Sequence, residues 1–110
     1  MVYRNKGKFE LKESVVKGIV EDILKQPKNE GVVITVDKSP NTNSKSLYVR
    51  FYIDEYTTAL RISDHRCKGF IRSVIVKEST GIANIYYKID AAINDLRYKR
   101  LNELLKKGTK

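Results

Sequence analysis

Several residue types that carry common protein chemistry are scarce in this 110-residue chain. It contains one cysteine, one histidine, two prolines and no tryptophan. A single cysteine, Cys67, excludes an internal disulfide and a thiolate metal cage. The sequence contains no run of about 18 apolar residues, as a membrane-spanning helix would need, and it begins without an apolar stretch of signal-peptide length. We therefore expect a cytoplasmic protein that uses neither a metal nor another cofactor.

Acidic residues are also few, and 22 basic against 13 acidic residues give a net charge of +9. Residues 1–55 carry 10 basic and 8 acidic side chains, a net of +2, and residues 56–110 carry 12 and 5, a net of +7. An anionic partner is therefore expected to meet the second half. Lysine also solvates ordinary surfaces, whereas arginine suits bidentate phosphate contacts. Six of the seven arginines lie between residues 50 and 100.

Hydrophobic spacing predicts a helix at each end of the chain and strands between them. Apolar residues recur at helical spacing over 11–31 and again over 79–108. Alternating, β-branched segments predict four strands, at 32–38, 46–53, 58–63 and 70–77. Short polar connections between them are typical of hairpins. The sequence thus predicts a single α+β domain over 1–110, an antiparallel four-stranded β-meander flanked by an N-terminal helix and a long C-terminal helix.

The ends of the two helices are predicted from capping residues. The first helix begins either with Ser14 as its cap or slightly earlier, and Ser79 or Thr80 caps the second, which ends at Gly108. The second helix would be ~40 Å long at 1.5 Å per residue, about twice the length of a six-residue strand. Its C-terminal half would extend past the sheet, and self-association is the economical way to bury the apolar residues there: Leu101, Leu104 and Leu105.

The two central strands alternate between an apolar and a polar face. The polar, open face would hold Tyr48, Arg50, Tyr52 and Arg61, with Ser63 beside them and Arg72 as a further candidate. Arginine interleaved with tyrosine is able to hold a nucleotide, with the guanidinium on a phosphate and the ring against a base. The same residues are equally typical of a solvated antiparallel face. A second basic group lies on the long helix, where Arg97 and Arg100 share a face and form a possible anion clamp.

The stretch from Leu60 to Phe70 gathers the only histidine and the only cysteine. His65 and Cys67 are separated by Arg66 in a tight turn, so no Cys–His catalytic couple is expected. No glycine-rich phosphate loop precedes a helix, and no histidine pair is spaced for a metal. We therefore predict a protein without enzymatic activity, in which this stretch is a basic strand end. His65, Arg66 and Phe70 would hold an anionic, base-bearing ligand there.

A strand reading "SLYVRF" (46–51) that leads through a short hairpin to "RISDH" (61–65) resembles the Thoeris anti-defence (Tad) family of phage signal sponges. The element order and chain length are also similar to that family. The resemblance implies a non-catalytic protein that sequesters glycocyclic ADP-ribose in the cytoplasm of an infected bacterium. It further implies a second pocket for cyclic oligonucleotides, as used in CBASS-type signalling, and a dimer or larger homo-oligomer.

The resemblance also implies residues for the messenger pocket. An aromatic ring near the end of the sheet and arginines on the C-terminal helix would correspond to Phe70, Arg97 and Arg100, and an asparagine near the start of that helix to Asn84. The chain departs from the family where a second arginine would follow one turn after Arg97, because Leu101 stands there.

Two other functions fit the same sequence. A basic DNA- or RNA-binding protein is favoured by the net charge and the arginine–tyrosine face. An interaction protein that merely assembles through its long helix is the third possibility. Binding to polymeric nucleic acid releases many counterions and weakens steeply with salt, whereas a pocket for a small ligand responds less.

Overall fold

The predicted α-β-β-β-β-α order is present in the computed structural model, which describes residues 7–66 and 72–108, with side chains up to residue 106. The protein is an α+β fold built on one four-stranded sheet. A 3₁₀ turn, Pro27–Asn29, follows the first helix. The remaining elements are α1 (Glu13–Leu24), β1 (Val32–Lys38), β2 (Leu47–Ile53), β3 (Tyr56–Ser63), β4 (Ser73–Ile75) and α2 (Ile82–Gly108).

The first three strands form the predicted antiparallel meander, in the order β1-β2-β3-β4. Val49 lies between Val36 on β1 and Leu60 on β3, so all three occupy one face. The fourth strand corrects the prediction, because β4 pairs with β3 in the parallel direction. The Arg61 amide donates to the Arg72 carbonyl at one end of this pairing, and the Val76 amide donates to the Ser63 carbonyl at the other.

The connection from β3 to β4 is therefore a return crossing and not a hairpin. It runs from residue 64 to residue 72, and because β4 is only three residues long the chain has to return only about 10 Å. Nine residues at up to about 3.5 Å each cover that distance. Its polar composition suggested a tight turn, but composition does not determine the direction of the next strand.

Both helices pack on one face of the sheet, where the hydrophobic core lies. The alternation predicts an inward apolar face for the two central strands, and this is confirmed: Leu47, Val49 and Phe51 on β2 and Leu60 and Ile62 on β3 are buried, and Ile53 is partly covered. The α2 side chains that complete this core are spaced three or four residues apart, as an amphipathic helix requires: Ile85, Ile89, Ile93 and Leu96.

Neither helix uses the predicted hydroxyl cap. α1 begins at Glu13 after an extended Lys12 and has no side-chain cap, which agrees with the earlier of its two predicted starts. α2 begins at Ile82, whose amide donates to the Gly7 carbonyl at 3.1 Å. The Thr80 hydroxyl instead accepts from the Lys77 amide at 2.8 Å, which closes the turn before the helix.

The C-terminal part of α2 extends beyond the core. Leu96 is the last of its described side chains to be buried, and exposed or half-buried residues follow to residue 106. Leu101, Leu104 and Leu105 are 50%, 44% and 57% exposed. Among residues 7–66 and 72–108, no helix is long and apolar enough to cross a bilayer.

Candidate functional site

Arg61 is the most unusual residue of the predicted site, because its side chain is only 2% exposed. It lies on the polar face of the sheet, opposite Tyr48 on β2. Its Nη1 donates to the His65 carbonyl at 2.9 Å. Its Nη2 contacts the Ser46 hydroxyl and the His65 Nε2, each at 3.1 Å. Its Nε has no hydrogen-bond partner. The groups that contact this buried cation are a hydroxyl, a carbonyl and an imidazole.

The contacts of His65 assign its tautomer. A guanidinium only donates hydrogen bonds, so the Nε2 that faces Arg61 must accept, and the ring proton resides on Nδ1. Nδ1 lies 2.8 Å from the Asp64 Oδ1 and 3.2 Å from the Ser63 hydroxyl. This hydrogen bond from His65 is the main cause that holds the pKa of the exposed Asp64 carboxyl below its ordinary value, and the charge of Lys45 acts in the same direction.

Together these side chains form a polar network that joins the start of β2 to the end of β3. The Ser46 and Ser63 hydroxyls meet at 2.7 Å and both are buried. Ser44 extends the network, since its hydroxyl donates to Ser46 at 2.9 Å. The prediction that Arg61 and Ser63 lie on an open, solvated face is thus wrong. The two motifs that carry the family resemblance meet here. Their polar residues Arg61 and Ser63 hydrogen-bond to His65 and so hold it against the sheet.

The other arginines of the sheet are engaged with carboxylates. Arg50 donates from Nη1 to Asp37 at 2.9 Å, and its guanidinium carbon lies 6.0 Å from the centre of the Tyr48 ring. This pair remains on the outer face, as predicted. Arg72 does not join that face, because its Nη2 bonds to Asp95 on α2, on the helix side of the sheet.

Arg97 and Arg100 are adjacent on α2 but are bound to different parts of the fold. Arg97 donates to the Lys28 carbonyl and, at 2.6 Å, to the Asn29 side chain of the 3₁₀ turn. Asn29 is buried, and its amide in turn donates to the Ile23 carbonyl at 2.7 Å. Arg100 donates from Nε to Asp54 of the β2–β3 turn at 2.7 Å. Both arginines therefore tie α2 to neighbouring turns, and their role as an anion clamp stays a prediction.

The remaining predicted residues do not converge with these arginines. Asn84 is exposed in the first turn of α2. It is 13 residues from Arg97, or about 20 Å along the helix. Arg66 is exposed beside the Arg61 network. Phe70 and Cys67 lie outside the described residues. The structure thus brings Arg61 and His65 together and leaves Arg50, Asn84, Arg97 and Arg100 apart.

A cavity of about 680 Å³ lies at the end of the sheet, between the start of α1 and the β1–β2 connection. Three lysines reach it from three elements: Lys12 before α1, Lys38 at the end of β1 and Lys45 before β2. Leu11 and Leu47 supply an apolar part of the wall. Hydroxyl and amide side chains supply the rest: Ser14, Ser39, Asn41, Thr42 and Ser44.

The wall formed by the β1–β2 connection is held in place by its own hydrogen bonds. The Asn41 amide donates to the Ser39 hydroxyl at 3.2 Å, and the Asn43 amide donates to the Asn41 side chain at 3.0 Å. The Ser46 amide donates to the Ser44 hydroxyl at 3.1 Å. Hydrogen bonds from a backbone amide to a side-chain oxygen two residues away are typical of Asx and Ser/Thr turns. The connection therefore shapes the cavity before any ligand arrives.

The cavity is cationic. Its one acidic lining residue, Glu13, lies 3.9 Å from Lys38 and 3.4 Å from Lys17. Three lysines against one carboxylate leave a positive excess, and the start of α1 adds the partial positive charge of a helix N-terminus. Ser44 belongs to both this wall and the Arg61 network. Such a site is able to bind a small anion, through point charges from lysine and hydrogen bonds from the polar wall.

Sequence reasoning missed this cavity because its lysines are distant in sequence. Positions 12, 38 and 45 fall in three different segments, and nothing in their local spacing marks them as neighbours. The usable signal was the run of serine, asparagine and threonine at 39–44, whose side chains bond to nearby backbone and form a defined loop. By composition alone, that run is predicted only as a hairpin connection.

Within the described part of the chain, no three side chains of histidine, cysteine or acid type are grouped to hold a metal ion. Comparison of the chain with protein-family models, with curated protein sequences and with solved structures finds no match. The functional argument therefore depends on the geometry of the cavity and of the polar network.

Proposed function

We propose that the protein binds a small, phosphate-bearing nucleotide in the cavity between α1 and the β1–β2 connection and sequesters it without cleaving it. The observation that carries this proposal is the convergence of Lys12, Lys38 and Lys45 on one cavity of about 680 Å³. Cavities of roughly 300–1,000 Å³ hold small molecules in other proteins.

The wall chemistry suits both parts of a nucleotide. Ammonium groups neutralise phosphates as point charges. Hydroxyl and amide groups, which include Ser39 and Asn41, are able to hydrogen-bond a ribose or the edge of a base. Leu11 and Leu47 offer an apolar surface for the face of the base. The hydrogen bonds that hold the wall in place join side chains to backbone amides and not to a basic side chain, so binding without turnover is the simplest activity for it.

The resemblance to the Tad family suggests which ligand to test first. A sponge for glycocyclic ADP-ribose, and for cyclic oligonucleotides, would suit a phage anti-defence protein that acts in the cytoplasm of the infected cell. The cationic cavity supports an anionic ligand of that size. Assembly through the long C-terminal helix belongs to the same proposal, because the apolar residues beyond Leu96 are exposed in the single chain.

A thermal-shift panel of the purified protein tests ligand binding. The panel includes cyclic ADP-ribose isomers, cyclic dinucleotides, cyclic trinucleotides and linear ADP-ribose. A true ligand at 100 times its dissociation constant stabilises the protein by about 2.7 kcal/mol. The ligand released by heat and measured by mass spectrometry should be chemically unchanged. A converted product would contradict sequestration.

Lysine variants test where the ligand binds. Lys12→Met, Lys38→Met and Lys45→Met should each weaken binding at least tenfold by isothermal titration. The matched control is Lys25→Met, an exposed lysine at the other end of α1, which should leave affinity unchanged. If instead Arg97→Ala abolishes binding and the cavity variants do not, the site is on α2 and the placement proposed here is wrong.

Binding to polymeric nucleic acid is the alternative function. It is favoured by the net charge of +9 and by Arg50, which lies over Tyr48 on the outer face of the sheet. A salt titration separates the two functions. Affinity for DNA or RNA should fall by orders of magnitude between 50 and 200 mM salt. Steep salt dependence, with no stabilisation by any small nucleotide, would support the alternative and overturn the sponge.

A further inference from the structure

We propose that α2 forms an antiparallel two-helix seam with a second copy of this chain, along the face that it turns away from its own core. This specifies the assembly included in the proposed function, and it does not depend on the ligand. The seam is the set of six α2 residues at positions 87, 91, 94, 98, 101 and 105: Tyr87, Ala91, Asn94, Tyr98, Leu101 and Leu105.

The spacing of the seam residues is the first argument. Successive members are 4, 3, 4, 3 and 4 residues apart, the a/d repeat of a coiled coil. They lie opposite the α2 residues that pack on the sheet, since Ile89 and Ile93 are buried while Tyr87 and Tyr98 are 69% and 67% exposed. The helix therefore carries two apolar stripes, and the sheet covers only one of them.

The concentration of exposed apolar side chains along one line of the helix is the second argument. Six large hydrophobic residues are exposed among the described side chains, and four of them belong to the seam. Leu105 lies 18 positions after Tyr87, or about 27 Å along the helix. Apolar side chains concentrated in one line on a charged protein mark an interaction surface more strongly than scattered ones do.

The charge along α2 decides the orientation. Residues 82–95 contain Lys88 against Asp90 and Asp95, a net of −1. Residues 96–108 contain five basic residues against Glu103, a net of +4. A parallel pair would place the two +4 halves together. An antiparallel pair places each +4 half beside a −1 half, which electrostatic complementarity favours.

The side-chain sizes fit the antiparallel register that pairs position 91 with position 101. Small Ala91 then faces Leu101 of the second copy, and Tyr87 faces Leu105. In the central layers Asn94 faces Tyr98, so its amide lies near a phenol that is able to hydrogen-bond. A polar residue within a heptad seam typically fixes register at some loss of stability.

The charged residues nearest the two-fold axis are already engaged within their own chain. Asp95 is paired with Arg72, and Arg97 is turned toward the Asn29 side chain and the Lys28 carbonyl. The like charges that symmetry brings close are thus an ion-paired carboxylate and a guanidinium that also donates to Asn94 of its own chain at 3.3 Å. Asp95 is therefore held by an ion pair and Arg97 by hydrogen bonds within its own chain.

Sedimentation equilibrium without any ligand tests the assembly. The chain of 12.7 kDa should sediment as a dimer at micromolar concentration. Leu101→Glu should raise the dimer dissociation constant at least 100-fold while circular dichroism stays unchanged, because Leu101 is outside the core. The matched control is Val33→Glu, an equally exposed apolar residue on the outer face of the sheet, which should remain dimeric. A wild-type chain that is monomeric at all concentrations overturns the proposal.

Disulfide trapping tests the orientation. In a Cys67→Ser background, chains with Ala91→Cys and chains with Leu101→Cys are oxidised separately and as a mixture. The antiparallel register predicts a covalent dimer in the mixture and none in either chain alone. A covalent dimer from Leu101→Cys alone would show parallel helices and overturn the proposed orientation. Neither result bears on nucleotide binding, which the cavity variants test independently.

Discussion

At the scale of single residues, Arg61 hydrogen-bonds to groups of its own fold, although an arginine at this position was expected to contact a ligand. Its guanidinium reaches the Ser46 hydroxyl, the His65 carbonyl and the His65 ring together. A lysine keeps the charge but presents it as a point and not as a planar fork. Arg61→Lys should therefore leave buried acceptors unpaired and lower the free energy of unfolding by about 1–3 kcal/mol. Urea denaturation measures this change.

Arg50→Lys is the matched control for that variant. Arg50 is on the adjacent strand and on the same face, but its pair with Asp37 is exposed. Exposed ion pairs contribute about 0–1 kcal/mol, so this variant should unfold within about 0.5 kcal/mol of the wild type. Equal effects at the two positions would show that the buried network has no special role in stability.

Asp64 provides a titration that reports on the same network. Its pKa is lowered in the folded protein chiefly by the hydrogen bond from His65 and only slightly by Lys45. A lowered folded-state pKa means that this carboxylate stabilises the fold above its ordinary pKa of 3.8 and loses that contribution as pH falls through the folded value. His65→Ala should raise the Asp64 midpoint in a ¹³C NMR titration more than Lys45→Met does. The opposite ranking would show that the hydrogen bond from His65 is not the main cause of the lowered pKa.

At the scale of elements, two glycines separate the effect of backbone conformation from the effect of the space available for a side chain. Neither Gly18, inside α1, nor Gly31, before β1, has any atom within 4 Å of where a Cβ would stand. They differ in conformation, because Gly31 has a φ of +90°. Gly18→Ala should raise the free energy of unfolding by about 0.5–1 kcal/mol, as alanine favours a helix. Gly31→Ala should lower it by about 1–2 kcal/mol, because L residues are strained there.

Chemical denaturation of the two glycine variants checks both signs. A loss of stability in Gly18→Ala would show that α1 packs against something that the single chain does not contain. A neutral result in Gly31→Ala would show that the turn before β1 adjusts without strain.

The elements also show what the sequence could predict. Alternation identified which side chains of β2 and β3 face the core, and helical spacing located both helices, because each pattern is local. The direction of β4 was not predictable, since three residues are able to pair in either direction and the local sequence pattern does not distinguish the two. The burial of Arg61 was also missed, because its contacts come from Ser46 and His65, which lie outside its own strand.

The candidate site was harder to predict than the fold. Arginines were expected to mark the ligand, yet Arg72, Arg97 and Arg100 each contact another element. Side chains suited to phosphates are equally suited to carboxylates and carbonyls of the same chain. The cavity lysines became neighbours only through tertiary structure. Residue type therefore indicates which side chains are able to bind an anion, but only three-dimensional proximity shows which of them lie together.

At the scale of the whole molecule, assembly and stability should be linked. If two copies meet along the α2 seam, the folded dimer is favoured by mass action, and the melting temperature rises with protein concentration. A hundredfold increase should raise it by on the order of 5 °C. Leu101→Glu should make the melting temperature independent of concentration. Differential scanning calorimetry at several concentrations measures both, and a flat response in the wild type would contradict a dimer in that range.

The hydrogen bonds that join Gly7 and Phe9 to the start of α2 have a consequence for synthesis on the ribosome. Phe9 is buried, and its amide donates to the Thr80 carbonyl, while the Gly7 carbonyl accepts from Ile82. Partners more than 70 residues apart become available only after most of the domain has been translated. Until α2 emerges, the apolar sides of α1 and of the nascent sheet lack their cover. The growing chain therefore depends on a late helix to complete its core, and the apolar segments made before it stay uncovered until that helix has been translated.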